Sequence, residues 1–245
     1  MSRALHTSKI SAEKDAFIGE LRASLPNFAR LLSGGDLASK ARRLHEKFIP
    51  LHILNHYKPD PSPLKTEYFE LVVTHSIESE ALFALGFRNA GMMALRAAIE
   101  AAFKFIYYEN HPVEWQLHQS GAHDLHGIEF REFLYNFPVL GGLPFNQKRG
   151  LEELWTQLCS FVHCDLRSVS KVGVVADFKT ILRLPEQQLS QILDRIHVVE
   201  KTVVSCCFAV DPKWLLNVEK AYFDVVFDIY TAAERKVIKE GLRIA

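Results

Sequence analysis

Three charged residues, Arg96, Glu100 and Lys104, interrupt the almost wholly apolar run GMMALRAAIEAAFKFIYYEN at 91–110. Residues four apart lie on one face of an α-helix, so the run predicts a central helix that is apolar on most of its circumference and carries one charged stripe. An arginine binds a phosphate through its planar fork, and a glutamate one turn away can orient it. The stripe therefore indicates phosphate chemistry, with an ordinary structural ion pair as the other interpretation.

A second polar stripe, formed by Thr156, Ser160 and His163, lies on a helix predicted over about 146–166. If the two helices are neighbours, a guanidinium, a hydroxyl and an imidazole that can move a proton at neutral pH meet on one surface. That combination suits a phosphodiester, whereas in the structural interpretation His163 caps its helix or forms a hydrogen bond in the core. The candidate catalytic residues are Arg96, Glu100, Ser160 and His163, and the candidate binding residues are Lys104, Arg88 and Arg167.

Four histidines fall within 111–126, at positions 111, 118, 123 and 126, together with Glu114 and Asp124. Imidazole and carboxylate groups suit zinc or iron. However, the HExxH motif is absent, as is the pair of Glu-x-x-His repeats that di-iron bundles place on facing helices. We therefore interpret these residues as polar surface turns and predict neither a metal nor another cofactor.

The pattern GFRNAGMMALRAAIEAAFKFIYY at 86–108, followed by LWTQLCSFVH at 154–163, resembles helical domains of the HEPN superfamily. The resemblance covers residues 83 to 166. It implies an all-α fold, a homodimer, and metal-independent RNA cleavage that uses the 2′-hydroxyl as nucleophile at a site where two protomers meet. Several members act as toxins or in defence against phage. The sequence lacks the family's best-known signature, an arginine followed by a histidine four to six residues later. The resemblance therefore assigns the catalytic role of that signature to Arg96 and His163, which lie on separate predicted helices.

Two functional hypotheses follow from these residues. The first is a HEPN-like metal-independent endoribonuclease of the toxin or phage-defence type. The second is a non-catalytic helical module that binds RNA or a regulatory protein partner through the same surface. Exposure distinguishes them, because catalysis requires Arg96 and His163 to face an open cleft, whereas a structural pair is closed off by packing.

Composition and charge limit the compartment and the binding partners that either function can have. Hydrophobic residues make up 48% of the chain and charged residues 24%, which is typical of a globular protein. The 29 basic and 29 acidic residues balance, so RNA binding requires a local patch. The four cysteines show no CxxC spacing and no secretory leader precedes them, which predicts a reducing cytoplasm. Charges interrupt the best apolar run, so no membrane span is expected.

The apolar spacing along the chain predicts an all-α multi-helix bundle with short connectors, in one domain over 1–245 with a HEPN-like core at about 66–208. The predicted helices include one over 11–33, one that runs from Asp36 past Pro50, and one capped by Thr66. Two short helices are predicted over 113–118 and 128–137. Residues 172–184 predict a short extended segment, and Thr231 with Glu234 predicts a capping box at the last helix.

Overall fold

The computed structural model describes residues 2–24, 36–58, 63–122, 127–138, 140–143, 148–162, 186–212, 214 and 218–242. Within these ranges the chain forms α-helices and one short 3-10 helix, Leu140–Gly142, and no strand. The prediction of an all-α multi-helix bundle is therefore confirmed. The α-helices are α1 (Ser2–Ser24), α2 (Asp36–His56), α3 (Pro63–Ala84), α4 (Arg88–Asn110), α5 (Pro112–Gln119), α6 (Gly127–Asn136), α7 (Lys148–Val162), α8 (Glu186–Val210), α9 (Lys220–Phe227) and α10 (Ala232–Leu242).

Helix α4 is the central element, as its apolar sequence predicts. It contacts α3, α5, α6, α7 and α8. Its apolar side chains, including Leu95, Ile99, Phe103 and Ile106, are almost fully buried. One hydrophobic cluster that draws on α2 to α10 surrounds them. The charged stripe of α4 is thus held in place by a helix whose other faces are packed.

Helices α3 and α4 pack against each other and are joined by a tight turn at Gly86. Gly86 has a φ of 83°, which favours glycine, and its N–H donates to Phe83 O while the next N–H donates to Leu82 O. These two bonds form a Schellman motif that ends α3. The helices then run so close that a Cβ on Gly91 would lie 2.6 Å from the Phe83 ring, and the Ser79 hydroxyl donates to Gly91 O at 3.0 Å.

Several predicted helix ends need correction. Helix α3 begins at Pro63, so Thr66 lies inside it and is not its cap. Proline suits a first turn because its missing N–H would have had no helical partner there. Helix α4 begins at Arg88, and α1 begins at Ser2 rather than residue 11. Residues 25–33 and the extended segment predicted over 172–184 lie outside the described residues.

Other local predictions are confirmed. Helix α2 begins at Asp36 and continues through Pro50 to His56. The capping box is present, because Thr231 N–H donates to Glu234 Oε2 at 2.7 Å and Glu234 N–H donates to Thr231 Oγ1 at 3.3 Å. Among the described helices, none is both long and apolar enough to cross a membrane.

Candidate functional site

Helices α4 and α7, which carry the two polar stripes of the sequence, pack against each other as predicted. Phe103 of α4 and Trp155 of α7 have ring centroids 5.9 Å apart. Nearby, Arg96 Nε donates to the Cys159 sulfur at 3.3 Å. The contact therefore fixes Arg96 at the edge of the packed face between the two helices.

The α4 stripe is a continuous ladder of ion pairs. Arg96 Nη1 lies 3.2 Å from Glu100 Oε2, and Lys104 Nζ lies 3.3 Å from Glu100 Oε1. The three side chains are 27%, 29% and 28% exposed. They are therefore partly exposed. Two positive side chains and one negative side chain leave the ladder with a net charge of one positive unit.

Trp155 is the meeting point of two arginines from different helices. The Arg96 guanidinium lies 4.6 Å from a ring centroid of Trp155, and the Arg131 guanidinium from α6 lies 4.7 Å from it. Arg131 Nε also donates to Glu152 Oε1 at 3.1 Å, and the Tyr135 hydroxyl donates to the same oxygen at 2.5 Å. Burial and this hydrogen bond raise the pKa of Tyr135. Arg131 is only 8% exposed, so we call Arg96, Lys104 and Trp155 the α4–α7 surface.

A third arginine contacts another face of α7. Arg195 of α8 donates to Gln157 Oε1 at 3.3 Å, and its guanidinium lies 5.9 Å from the Phe161 ring centroid. Burial lowers the pKa of this guanidinium, although Asp194 acts in the opposite direction. Since Gln157 and Trp155 are two residues apart on a helix, they point to different sides of α7. Arg195 therefore does not extend the α4–α7 surface.

The remaining predicted site residues are placed differently. The Ser160 hydroxyl donates to Gln157 O at 2.7 Å, one turn back in its own helix. Arg88 is only 8% exposed at the start of α4, where burial lowers its pKa, so it does not join the exposed part of the stripe. His163 and Arg167 lie outside the described residues.

The two histidines of 111–126 that the structure describes both contact tyrosine residues. His111 stacks on Tyr107 with centroids 4.1 Å apart and donates from Nδ1 to Tyr107 O at 2.8 Å. His118 Nε2 lies 3.2 Å from the Tyr68 hydroxyl. Positions 123–126 lie outside the described residues. Aromatic packing therefore accounts for the two described histidines.

Sequence reasoning missed a cluster formed by His45, His52 and Glu80. Both histidines contact the same carboxylate, which is almost completely buried. The two histidines are seven residues apart, a spacing that places them on one face of α2. Glu80 belongs to α3, and no sequence spacing connects it to them. The interval between the histidines was therefore the only signal available.

The described cysteines have different environments. Cys159 is half-buried beside Arg96, while Cys206 and Cys207 are buried in α8. Burial raises the pKa of both α8 thiols. Cys159, Cys206 and Cys207 are all free thiols.

No family model, curated protein or solved structure matches the chain. The resemblance to HEPN domains thus stays a prediction based on the residues at 86–108 and 154–163.

Proposed function

We propose that the protein is a HEPN-like endoribonuclease that binds an RNA phosphate at the α4–α7 surface. The observation that supports this most is the position of Arg96, which is held by Glu100 and Trp155 yet remains 27% exposed. Arginine recognises phosphate through paired N–H donors, and an aromatic ring beneath it limits its rotation. Lys104, one turn further, adds a second positive charge along α4.

Cleavage needs a base beside this phosphate site, and the family resemblance supplies His163. In the proposed reaction His163 accepts the proton of the RNA 2′-hydroxyl, whose oxygen attacks the adjacent phosphorus. The bond from phosphorus to the 5′-oxygen breaks, and that oxygen receives a proton from water. The hydroxide that remains takes the proton held by His163, which restores the neutral imidazole and the water. The products are a 2′,3′-cyclic phosphate and a 5′-hydroxyl. Arg96 stabilises the negative charge that develops on the phosphate oxygens, and no electron transfer or metal is required.

The test is cleavage of single-stranded RNA by purified protein with EDTA present. We expect the wild type to cleave, and Arg96→Ala and His163→Ala to lose cleavage while remaining folded. Arg149→Ala is the matched control, because Arg149 is on α7 but is 92% exposed and pairs with Glu153. Equal cleavage by wild type and both variants would contradict the proposed site.

A non-catalytic module that binds RNA or a protein partner is the second candidate. It is favoured by the hydrogen bond of Ser160 to Gln157 O and by the three contacts that occupy Arg96. RNA binding that Arg96→Ala weakens, with no cleavage by the wild type, would select this function over the nuclease.

We also propose that the protein acts as a cytoplasmic homodimer in a toxin or phage-defence setting, as the family resemblance implies. Exposed apolar side chains on α3 to α6, including Met93, Val113 and Ile128, are compatible with an interface. Sedimentation at micromolar concentration should give a dimer. A monomer there would contradict the dimer, and it would leave the RNA-binding surface of one protomer to be tested separately.

A further inference from the structure

The cluster missed by the sequence joins two helices through one buried carboxylate. His45 Nδ1 donates to Glu80 Oε1 at 2.5 Å, and His52 Nε2 donates to Glu80 Oε2 at 3.1 Å. The side chains of Glu80 and His45 are 2% and 7% exposed, whereas that of His52 is 38% exposed. Each carboxylate oxygen therefore faces a different imidazole, one deep in the protein and one at its edge.

Hydrogen bonds from two imidazoles stabilise the charged form of the buried carboxylate. Burial alone would raise the pKa of Glu80, but the hydrogen bonds from His45 and His52 outweigh it and hold the pKa below its usual value. A buried charge is costly unless it is paired. The site thus concentrates negative charge and two nitrogen ligands in one place.

The cluster lies in the wall of a cavity of about 530 Å³ formed by α1, α2, α3 and α9. Phe17 of α1 stacks on the His45 ring, with centroids 4.4 Å apart and planes 5° from parallel, which fixes the ring. Among the described residues, His45 Nε2 is buried and has no hydrogen-bond partner. The stacked ring presents its other nitrogen, Nδ1, to Glu80.

We propose that His45, His52 and Glu80 bind one divalent transition-metal ion of the zinc type. The ligand atoms are His45 Nδ1, His52 Nε2 and one oxygen of Glu80, and the remaining coordination position faces the cavity. Two imidazoles, one carboxylate and an open position form a ligand set used by catalytic zinc sites. Within the described part of the chain, this is the one group of three such residues whose ligand atoms all lie within 4.8 Å of one another.

The two measured nitrogen–oxygen distances are shorter, by about 0.8 and 0.2 Å, than the separation of ligands in a tetrahedral metal site. Ligands of a tetrahedral site with bonds of about 2.0 Å are about 3.3 Å apart. The measured separations of 2.5 and 3.1 Å are those of hydrogen bonds, in which a proton takes the place of the ion. Metal binding displaces the proton from each ligand nitrogen.

The donor types select the class of ion. Imidazole nitrogen suits zinc, copper, nickel and iron, while Mg²⁺ and Ca²⁺ prefer sites made of oxygen ligands. The site does not depend on the proposed nuclease at the α4–α7 surface, because it uses α2 and α3 instead. RNA cleavage in EDTA and metal binding are therefore separate results, and either can fail alone.

The experiment uses full-length protein freed of metal with EDTA and then transferred to buffer without it. Calorimetric titration with Zn²⁺ should give one equivalent bound, and Co²⁺ should give the visible absorption of a tetrahedral site with nitrogen and oxygen ligands. His52→Ala and Glu80→Gln should each weaken Zn²⁺ binding by more than the roughly 10- to 100-fold caused by losing an outer-shell partner. His75→Ala is the matched control, because His75 pairs with exposed Glu78 on the helix that carries Glu80.

The proposal is overturned if the wild type binds no Zn²⁺, or if His52→Ala binds it as tightly as His75→Ala does. His52 is partly exposed, so its loss should leave the fold intact even if Glu80→Gln does not fold. Circular dichroism shows whether Glu80→Gln is folded. If it is not, Zn²⁺ binding by His52→Ala compared with His75→Ala tests the proposal.

Discussion

Arg96 combines an ion pair, a contact with Trp155 and a hydrogen bond to Cys159, yet its loss should be tolerated. Glu100 would keep Lys104 at 3.3 Å, so no unpaired buried carboxylate would result. Arg96→Ala should therefore cost about 1–2 kcal/mol of the free energy of unfolding, from a half-exposed ion pair and one cation–π contact. Urea unfolding of the wild type and of Arg96→Ala measures this difference in the free energy of unfolding. A loss of about 3–5 kcal/mol would instead indicate a buried structural pair and would remove the argument for catalysis.

His197 on α8 should make stability depend on pH in the acid range. Burial lowers its pKa to about 4, with Lys47 and Lys201 acting in the same direction and Glu234 and Asp194 opposing them. In the unfolded chain a histidine titrates near about 6.5. Between these values the unfolded chain binds a proton that the folded chain does not. The stabilising contribution is complete above pH 6.5 and is lost as pH falls toward 4.

The effect can be isolated with His197→Gln. Between pH 7 and pH 4.5 the wild type should lose about 1 kcal/mol more than the variant, a value reduced for solvent screening of this half-buried ring. Unfolding in urea at both pH values gives the difference. NMR titration of the imidazole near pH 6.5 rather than near 4 would be incompatible with this account.

At the scale of elements, the close approach of α3 and α4 depends on Gly91. Its substitution by alanine would place a Cβ 2.6 Å from the buried Phe83 ring. Gly91→Ala should therefore destabilise the protein by about 1–3 kcal/mol, the usual cost of overpacking. Gly19→Ala is the matched control within α1, because no atom of the described residues lies within 4 Å of a Cβ at that position. It should stabilise the protein by about 0.5–1 kcal/mol. Thermal melting that moved both variants in the same direction would contradict this packing.

The sequence predicted those elements whose signals are local. The apolar run around Arg96, Glu100 and Lys104 identified α4, and the Thr231–Glu234 capping box identified the start of α10. The third helix began earlier than predicted, because Thr66 resembles a cap while Pro63 can already occupy a first turn.

The site was less predictable than the fold. Contact between α4 and α7 followed from their apolar faces, but the second arginine on Trp155 comes from α6, whose orientation the sequence does not reveal. The cluster of His45, His52 and Glu80 depends on how α2 and α3 lie relative to each other. Tertiary packing sets such contacts between helices, and the apolar periodicity of a single helix does not predict them.

At the scale of the whole molecule, 29 basic and 29 acidic residues leave no net charge to attract RNA from a distance. Binding at the α4–α7 surface should therefore depend on salt only through local contacts. With phosphates neutralised by Arg96 and Lys104, the logarithm of affinity should fall with the logarithm of salt concentration with a slope of about −1.4. Arg96→Ala should halve this slope to about −0.7. Fluorescence anisotropy with labelled single-stranded RNA measures both, and an identical slope for the two proteins would exclude Arg96 from phosphate contact.

Cys206 and Cys207 lie side by side in the buried part of α8, and burial raises the pKa of both thiols. The thiolate is the form that attacks an alkylating reagent, so the native chain protects these positions in two ways, by exclusion of the reagent and by suppression of the reactive form. Their modification requires α8 to leave the core. The chain thus contains an intrinsic probe of its rare open states. Mass spectrometry of alkylated peptides would report how often the centre of the bundle opens under native conditions, without any introduced label.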